Sequence, residues 1–102
     1  MANRLDLQAE LENLLGSRNV YFQPPTSVSL IYPCIVYRKS NVNKFNADDK
    51  LYGSTNQYAV TVIDADPDSK IPDKILEHFA MCRLDRSFYS DNLNHNIFTL
   101  YY

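Results

Sequence analysis

Tryptophan is absent from this chain of 102 residues, and glycine, histidine and cysteine occur only twice each. So little glycine leaves no glycine-rich loop to bring backbone amides onto a phosphate. The histidines, His78 and His95, stand at unrelated positions. With Glu77 and Asp91 as their acidic neighbours in sequence, they read as surface or satisfied core groups, not as zinc ligands or general bases. Neither cysteine belongs to a Cys-x-x-Cys pair. Cys34 and Cys82 lie in apolar surroundings, Pro33-Cys34-Ile35 and Met81-Cys82, and are expected as buried reduced thiols. Pairing Cys82 with His95 as nucleophile and base fails on the same ground, because a thiol among apolar neighbours stays protonated. No apolar run approaches the ~20 residues of a membrane span, and the opening Met-Ala-Asn-Arg lacks the apolar core of a signal peptide. A cytoplasmic product is expected. A net charge of −2 and a pI near 5.5 argue against a protein whose main task is neutralising phosphates.

What is present is a globular composition, 45% hydrophobic and 22% charged, at the length of one domain. Eight tyrosines and five phenylalanines make it rich in rings. Tyrosine packs an apolar ring while its hydroxyl stays available to water or a partner, which suits half-buried sheet faces and protein interfaces alike. Charge is uneven. Residues 60–102 carry seven acids against four bases, and residues 1–59 carry six bases against five acids. Such asymmetry serves head-to-tail contacts between subunits, or is no more than a solvated surface.

Leu7, Leu11, Leu14 and Leu15, with Leu5 ahead of them, repeat at helical spacing, and Gly16 follows where a helix takes a left-handed end residue. A helix is predicted over residues 4–15. Asn19-Val20-Tyr21-Phe22 has strand composition and is stopped by Gln23-Pro24-Pro25. Cys34 to Lys39 is a second strand beginning after Tyr32-Pro33. Asn56 to Asp64 is the clearest strand: Tyr58, Val60 and Val62 share one face, Ala59, Thr61 and Ile63 the other. With neither face strongly polar, it is expected to be central and covered on both sides. A turn from Asp64 to Ser69 leads to a second helix, whose stripe is Ile71, Ile75, Phe79 and Cys82. Asp66, Asp68 and Ser69 are expected to cap its first amides. Arg86 to Tyr89 and His95 to Tyr102 form a closing hairpin about residues 90–94.

The order α-β-β-β-α-β-β predicts a single α+β domain over residues 1–102, one mainly antiparallel sheet with two helices packed on one face. Residues 40–55, with Lys44, Asp48, Asp49, Lys50 and three asparagines, hold too few apolar residues for a core element and are expected as a long polar loop. Loops of that length are commonly functional, which points to contact with another chain through Phe45 and Tyr52. The alternative is a hairpin tip with an incidental Phe45. The run His95 to Tyr102 closes the chain on Phe, Leu and two Tyr, so it is expected to pack on its own subunit or on a neighbour.

Asp64, Asp66 and Asp68 imitate the start of a calcium loop. Ser69 stands where that loop needs glycine and Ile75 where it needs a bidentate glutamate, so no metal is expected. Arg38, Lys39, Lys44 and Lys50 are the best basic group, but Asp48 and Asp49 interrupt it. That leaves at most a weak electrostatic contact with DNA.

Gln57-Tyr58-Ala59-Val60-Thr61-Val62-Ile63-Asp64, the Asp66-Pro67-Asp68-Ser69 turn, the run from Asp91 to Tyr102, Tyr21-Phe22-Gln23-Pro24-Pro25 and Tyr32 to Tyr37 together resemble small tail-completion (tail-terminator) or neck proteins of tailed bacteriophages. The likeness extends over about residues 5–102. It implies a non-enzymatic virion protein without a cofactor, assembled in the host cytoplasm. Such a protein forms a homo-oligomeric ring, typically a hexamer, that caps the tail tube protein and ends its polymerisation. The ring meets the head-tail connector or a head-closure protein and lets DNA through its lumen without specific binding. The nearest alternative is a head-closure or adaptor protein on the connector side of the same joint. More distant ones are a small enzyme using Asp64, Asp66 and His95, and a nucleic-acid binder. That family has no fixed contact motif, so the subunit or partner contacts expected here, Arg38 of the second strand, Lys44, Phe45 and Tyr52 of the loop, and Tyr101 and Tyr102 of the terminus, are inferred from the residues themselves.

Overall fold

The computed structural model describes the backbone of residues 4–47 and 50–102, and the side chains of residues 4–40 and 56–102. Helix α1 spans Arg4–Leu15. Leu7 and Leu11 are fully buried, Leu14 and Leu15 pack against the same core, and Leu5 lies outside it, 65% exposed. The helix ends at Gly16, whose φ is +81° and whose amide donates to the Glu12 carbonyl at 2.9 Å. A Cβ built at Gly16 meets nothing within 4 Å. Gly16→Ala is therefore expected to cost about 1 kcal/mol through backbone strain alone. Urea unfolding would show this as a lower midpoint at unchanged slope.

The strands are β1 (Val20–Phe22), β2 (Cys34–Ala47), β3 (Lys50–Asp64), β4 (Cys82–Ser90) and β5 (Leu93–Tyr101), with helix α2 (Ile71–His78) between β3 and β4. They form one sheet in the order β1-β2-β3-β5-β4. Among the described residues, β1 and β2 run parallel and the other pairings are antiparallel. The fold is thus α+β in the predicted order α-β-β-β-α-β-β.

Register decides which side chains meet. Ile35 pairs with Val62, Tyr37 with Val60, Val60 with Phe98 and Tyr58 with Leu100, so all of these point to one face. They form a single core with Val20, Leu7 and Leu11 of α1, Ile75 of α2 and Phe79. Both helices therefore cover the same face. Two tyrosines are used inside it. The Tyr37 hydroxyl donates to Gln8 Oε1 at 2.5 Å and accepts from Arg4 Nη1 at 3.2 Å, tying α1 to the sheet centre. Asp91 and Asn92, both at positive φ, close the β4–β5 hairpin as the two-residue turn of a primed type requires.

Four expectations are corrected. Residues 40–47 and 50–55 are not a loop: their backbone continues β2 and β3 as a ribbon paired from Asn41↔Gln57 to Ala47↔Lys50, with a register shift between Phe45 and Asn46. Polar strands pair here because backbone hydrogen bonds do not require apolar side chains. Helix α2 stops at His78, and Phe79 is extended, so Phe79 and Cys82 reach the core from the connection and from β4, not from a helical stripe. The α2 cap is Lys70, without a side-chain bond; Asp64 and Asp66 instead accept the amides of Asp66 and Asp68, each at 2.9 Å. Ser69 Oγ does accept the Ile71 amide, at 3.3 Å. Finally, β3 is central, but its second face is only partly covered: Ile63 is buried, whereas Ala59 and Thr61 are half-buried.

Candidate functional site

Alternation along the strands gives the face opposite the helices a definite make-up. Val36 pairs with Thr61 and Thr61 with Ile97, while Arg38 pairs with Ala59 and Ala59 with Thr99. At one end this face is closed, with Cys34 and Ile63 buried. Next to that end Tyr21 Oη accepts the Ile31 amide at 3.3 Å, holding the connection between β1 and β2. Towards the other end lies an open depression of about 670 Å³, lined by Val36, Arg38, Lys39, Ala59, Thr61 and Ile97 together with Gln23 and Pro24. Its floor is small and β-branched, and its margin carries the exposed cation Arg38; Lys39, also exposed, lines the rim from the neighbouring position, in register with Tyr58.

From this margin the β2–β3 ribbon leaves the body. The last backbone ties to neighbouring strands are Asn56 with Tyr102, at 3.2 and 3.0 Å, and Gln23 to Tyr37 at 2.9 Å. Beyond them β2 and β3 are paired with each other over residues 41–47 and 50–56. The molecule measures 51 × 27 × 22 Å along its principal axes. Of the expected contact residues, Lys44, Phe45 and Tyr52 stand on this ribbon, but their side chains lie outside the described residues, as do Asp48 and Asp49 altogether.

The sheet edge at β4 is exposed along nearly its whole length. A bulge between Leu84 and Arg86 turns Asp85 back over the sheet, where its carboxylate accepts from the Thr99 hydroxyl and from Arg83 Nε at 2.8 Å. The bond from Thr99, helped by Arg83, holds the Asp85 carboxyl below the ordinary range. Bulges of this kind blunt an edge against unplanned pairing.

The terminal tyrosines have different fates. Tyr102 is taken up by its own subunit: its hydroxyl donates to Glu10 Oε2 and its ring meets Phe79 edge-on at 6.1 Å. Glu10 also bonds His78 Nε2 at 2.7 Å, so three residues clasp α1, α2 and the chain end. Burial pushes the Glu10 carboxyl up, but the hydrogen bonds from Tyr102 and His78 outweigh it and bring the group below its ordinary value. Burial and the bond to Glu10 push the Tyr102 hydroxyl up to about 12. The apolar terminus is therefore satisfied within the chain and does not by itself demand a neighbour. Tyr101 stays half-buried beside Met81 and Arg83.

The remaining candidates for chemistry are scattered. Burial pushes both thiols up to about 11, which leaves Cys34 and Cys82 as poor nucleophiles at neutral pH. The His95 ring stacks on Phe88 with centroids 4.6 Å apart, and its Nε2 is buried without a hydrogen-bond partner. Among the described residues, no group of three or more His, Cys, Asp and Glu is arranged to hold a metal. No helix is long and apolar enough to cross a membrane among those residues. The residues of the open face, Val36, Ala59, Thr61 and Ile97, each sit one step from a core residue and follow from alternation along the strands. No family model matches the chain, and no curated protein matches it either.

Proposed function

We propose that this chain is a structural virion protein, one subunit of a ring at the tail-to-head joint of a tailed bacteriophage that caps the tail tube and ends its polymerisation. The observation carrying this reading is the pairing of an open, partly apolar sheet face with a polar ribbon projecting from the same end of the molecule. A face of Val36, Ala59, Thr61 and Ile97 gains by leaving water, and a bare two-stranded ribbon is marginal in water without cover. Both features favour a partner chain. The likeness of residues 5–102 to tail-completion and neck proteins supplies the particular setting. Ring contacts are heterologous, two unlike patches meeting around a closing rotation, and a subunit whose bases and acids gather at different places suits that geometry. The ring acts by shape and by mass action.

Electron microscopy of virions assembled without this protein tests the reading. Over-long tails are expected, because nothing then stops the tube. Tails of normal length attached to leaking heads would instead assign the chain to head closure, and normal virions would remove it from the joint altogether.

A further inference from the structure

Resting on the reading of the chain as a ring subunit, we propose that copies join head to tail by seating the acidic turn of residues 64–68 of one copy on the open sheet face of the next. The two surfaces match in chemistry. The floor of the face is apolar at Val36 and Ile97, and its margin is cationic at Arg38 and Lys39, both exposed. The turn Asp64-Ala65-Asp66-Pro67-Asp68 alternates acid with small apolar residues, and positions 65–68 are all exposed. Ala65 and Pro67 suit the floor, and Asp66 and Asp68 suit the margin. Asp73 adds a further exposed acid in the first turn of α2.

The turn is also built to keep its shape. Two side-chain-to-backbone bonds of 2.9 Å fix it, so little freedom remains to be lost on binding. Among the described residues, the ion pairs are His78 with Glu10 and Arg83 with Asp85, so Arg38, Lys39, Asp68 and Asp73 stand outside them. Neither surface can satisfy the other within one molecule. Arg38 pairs with Ala59, and Asp64 lies five residues further along β3, a separation of ~17 Å for an extended strand. A contact between them joins two copies through unlike patches, which repeats in one direction and closes into a ring when the rotation allows.

Charge reversal with rescue provides the test, using sedimentation of the full chain. The wild type is expected to associate, and more weakly at high salt because the margin is exposed. Arg38→Glu with Lys39→Glu, and separately Asp68→Lys with Asp73→Lys, are each expected to weaken association by at least about tenfold, since like charges then face each other. Circular dichroism and melting temperature should stay those of the wild type. All four substitutions in one chain should restore association. Either pair leaving association unchanged would overturn the contact while leaving the ring reading to the tail-length experiment. Failure of the fourfold variant to recover would do the same, as would a wild type that sediments as a monomer at every concentration. If Arg38→Glu with Lys39→Glu abolishes binding of a labelled DNA duplex and spares association, the face serves nucleic acid and the proposal falls.

Discussion

Replacing Phe98 with alanine is expected to destabilise the fold by about 3–5 kcal/mol. Phe98 is fully buried on β5, flanked across the sheet by Val60 and Leu84, in the core shared by both helices. Removing the ring loses its transfer free energy and leaves a cavity that strands on both sides prevent from collapsing. Domains of this size are stable by only about 5–15 kcal/mol, so the variant should melt more than about 10 °C below the wild type. Ile97→Ala, one residue away, supplies the contrast. Ile97 lies on the open face and is half-buried, so its loss should cost about 1–2 kcal/mol, nearer the cost of trimming a partly exposed side chain. Equal losses in the two variants, measured by urea unfolding, would contradict the assignment of faces.

The second large effect is expected at the chain end. Tyr102→Ala removes the bond to Glu10 and the edge-on contact with Phe79, for a loss of about 2–3 kcal/mol. Tyr102→Phe keeps the ring and should lose about 1 kcal/mol, because Glu10 retains His78. Its difference from the wild type should depend on pH. The Glu10 carboxyl lies below its ordinary 4.5 in the folded chain. Its contribution is therefore present above pH 4.5 and fades as pH falls through the folded value. The Tyr102 hydroxyl is raised from 10.0 to about 12, so its contribution is full below pH 10 and fades between there and about 12. Melting temperatures of the two proteins should converge at both extremes. A gap that stays constant from pH 3 to 11 would show that the clasp holds the chain end by packing alone.

Much of the fold was legible because local rules and tertiary structure agree. Leucine spacing and Gly16 set α1 to its observed ends, and the alternation of Tyr58, Val60 and Val62 against Ala59, Thr61 and Ile63 located the central strand and its faces. Where the reading failed, the deciding partner was remote in sequence. Residues 40–55 look like a loop by composition, yet two polar segments complete each other's backbone hydrogen bonds once Cys34–Lys39 and Asn56–Asp64 have been brought into register. Cys82 fits a helical stripe by spacing, but the chain leaves the helix after His78 and delivers it from β4. The terminal tyrosines announced a need for burial without saying where. Tyr102 is answered by Glu10, 92 positions away.

The order of elements, the buried stripe of α1 and the turn at Asp91-Asn92 were determined by the sequence itself, since propensity, periodicity and turn chemistry act over a few residues. Only the tertiary structure decided that the face opposite the helices opens beside Arg38 and that the ribbon leaves the body there. Those outcomes depend on strand order and on contacts between distant segments, which no local pattern encodes.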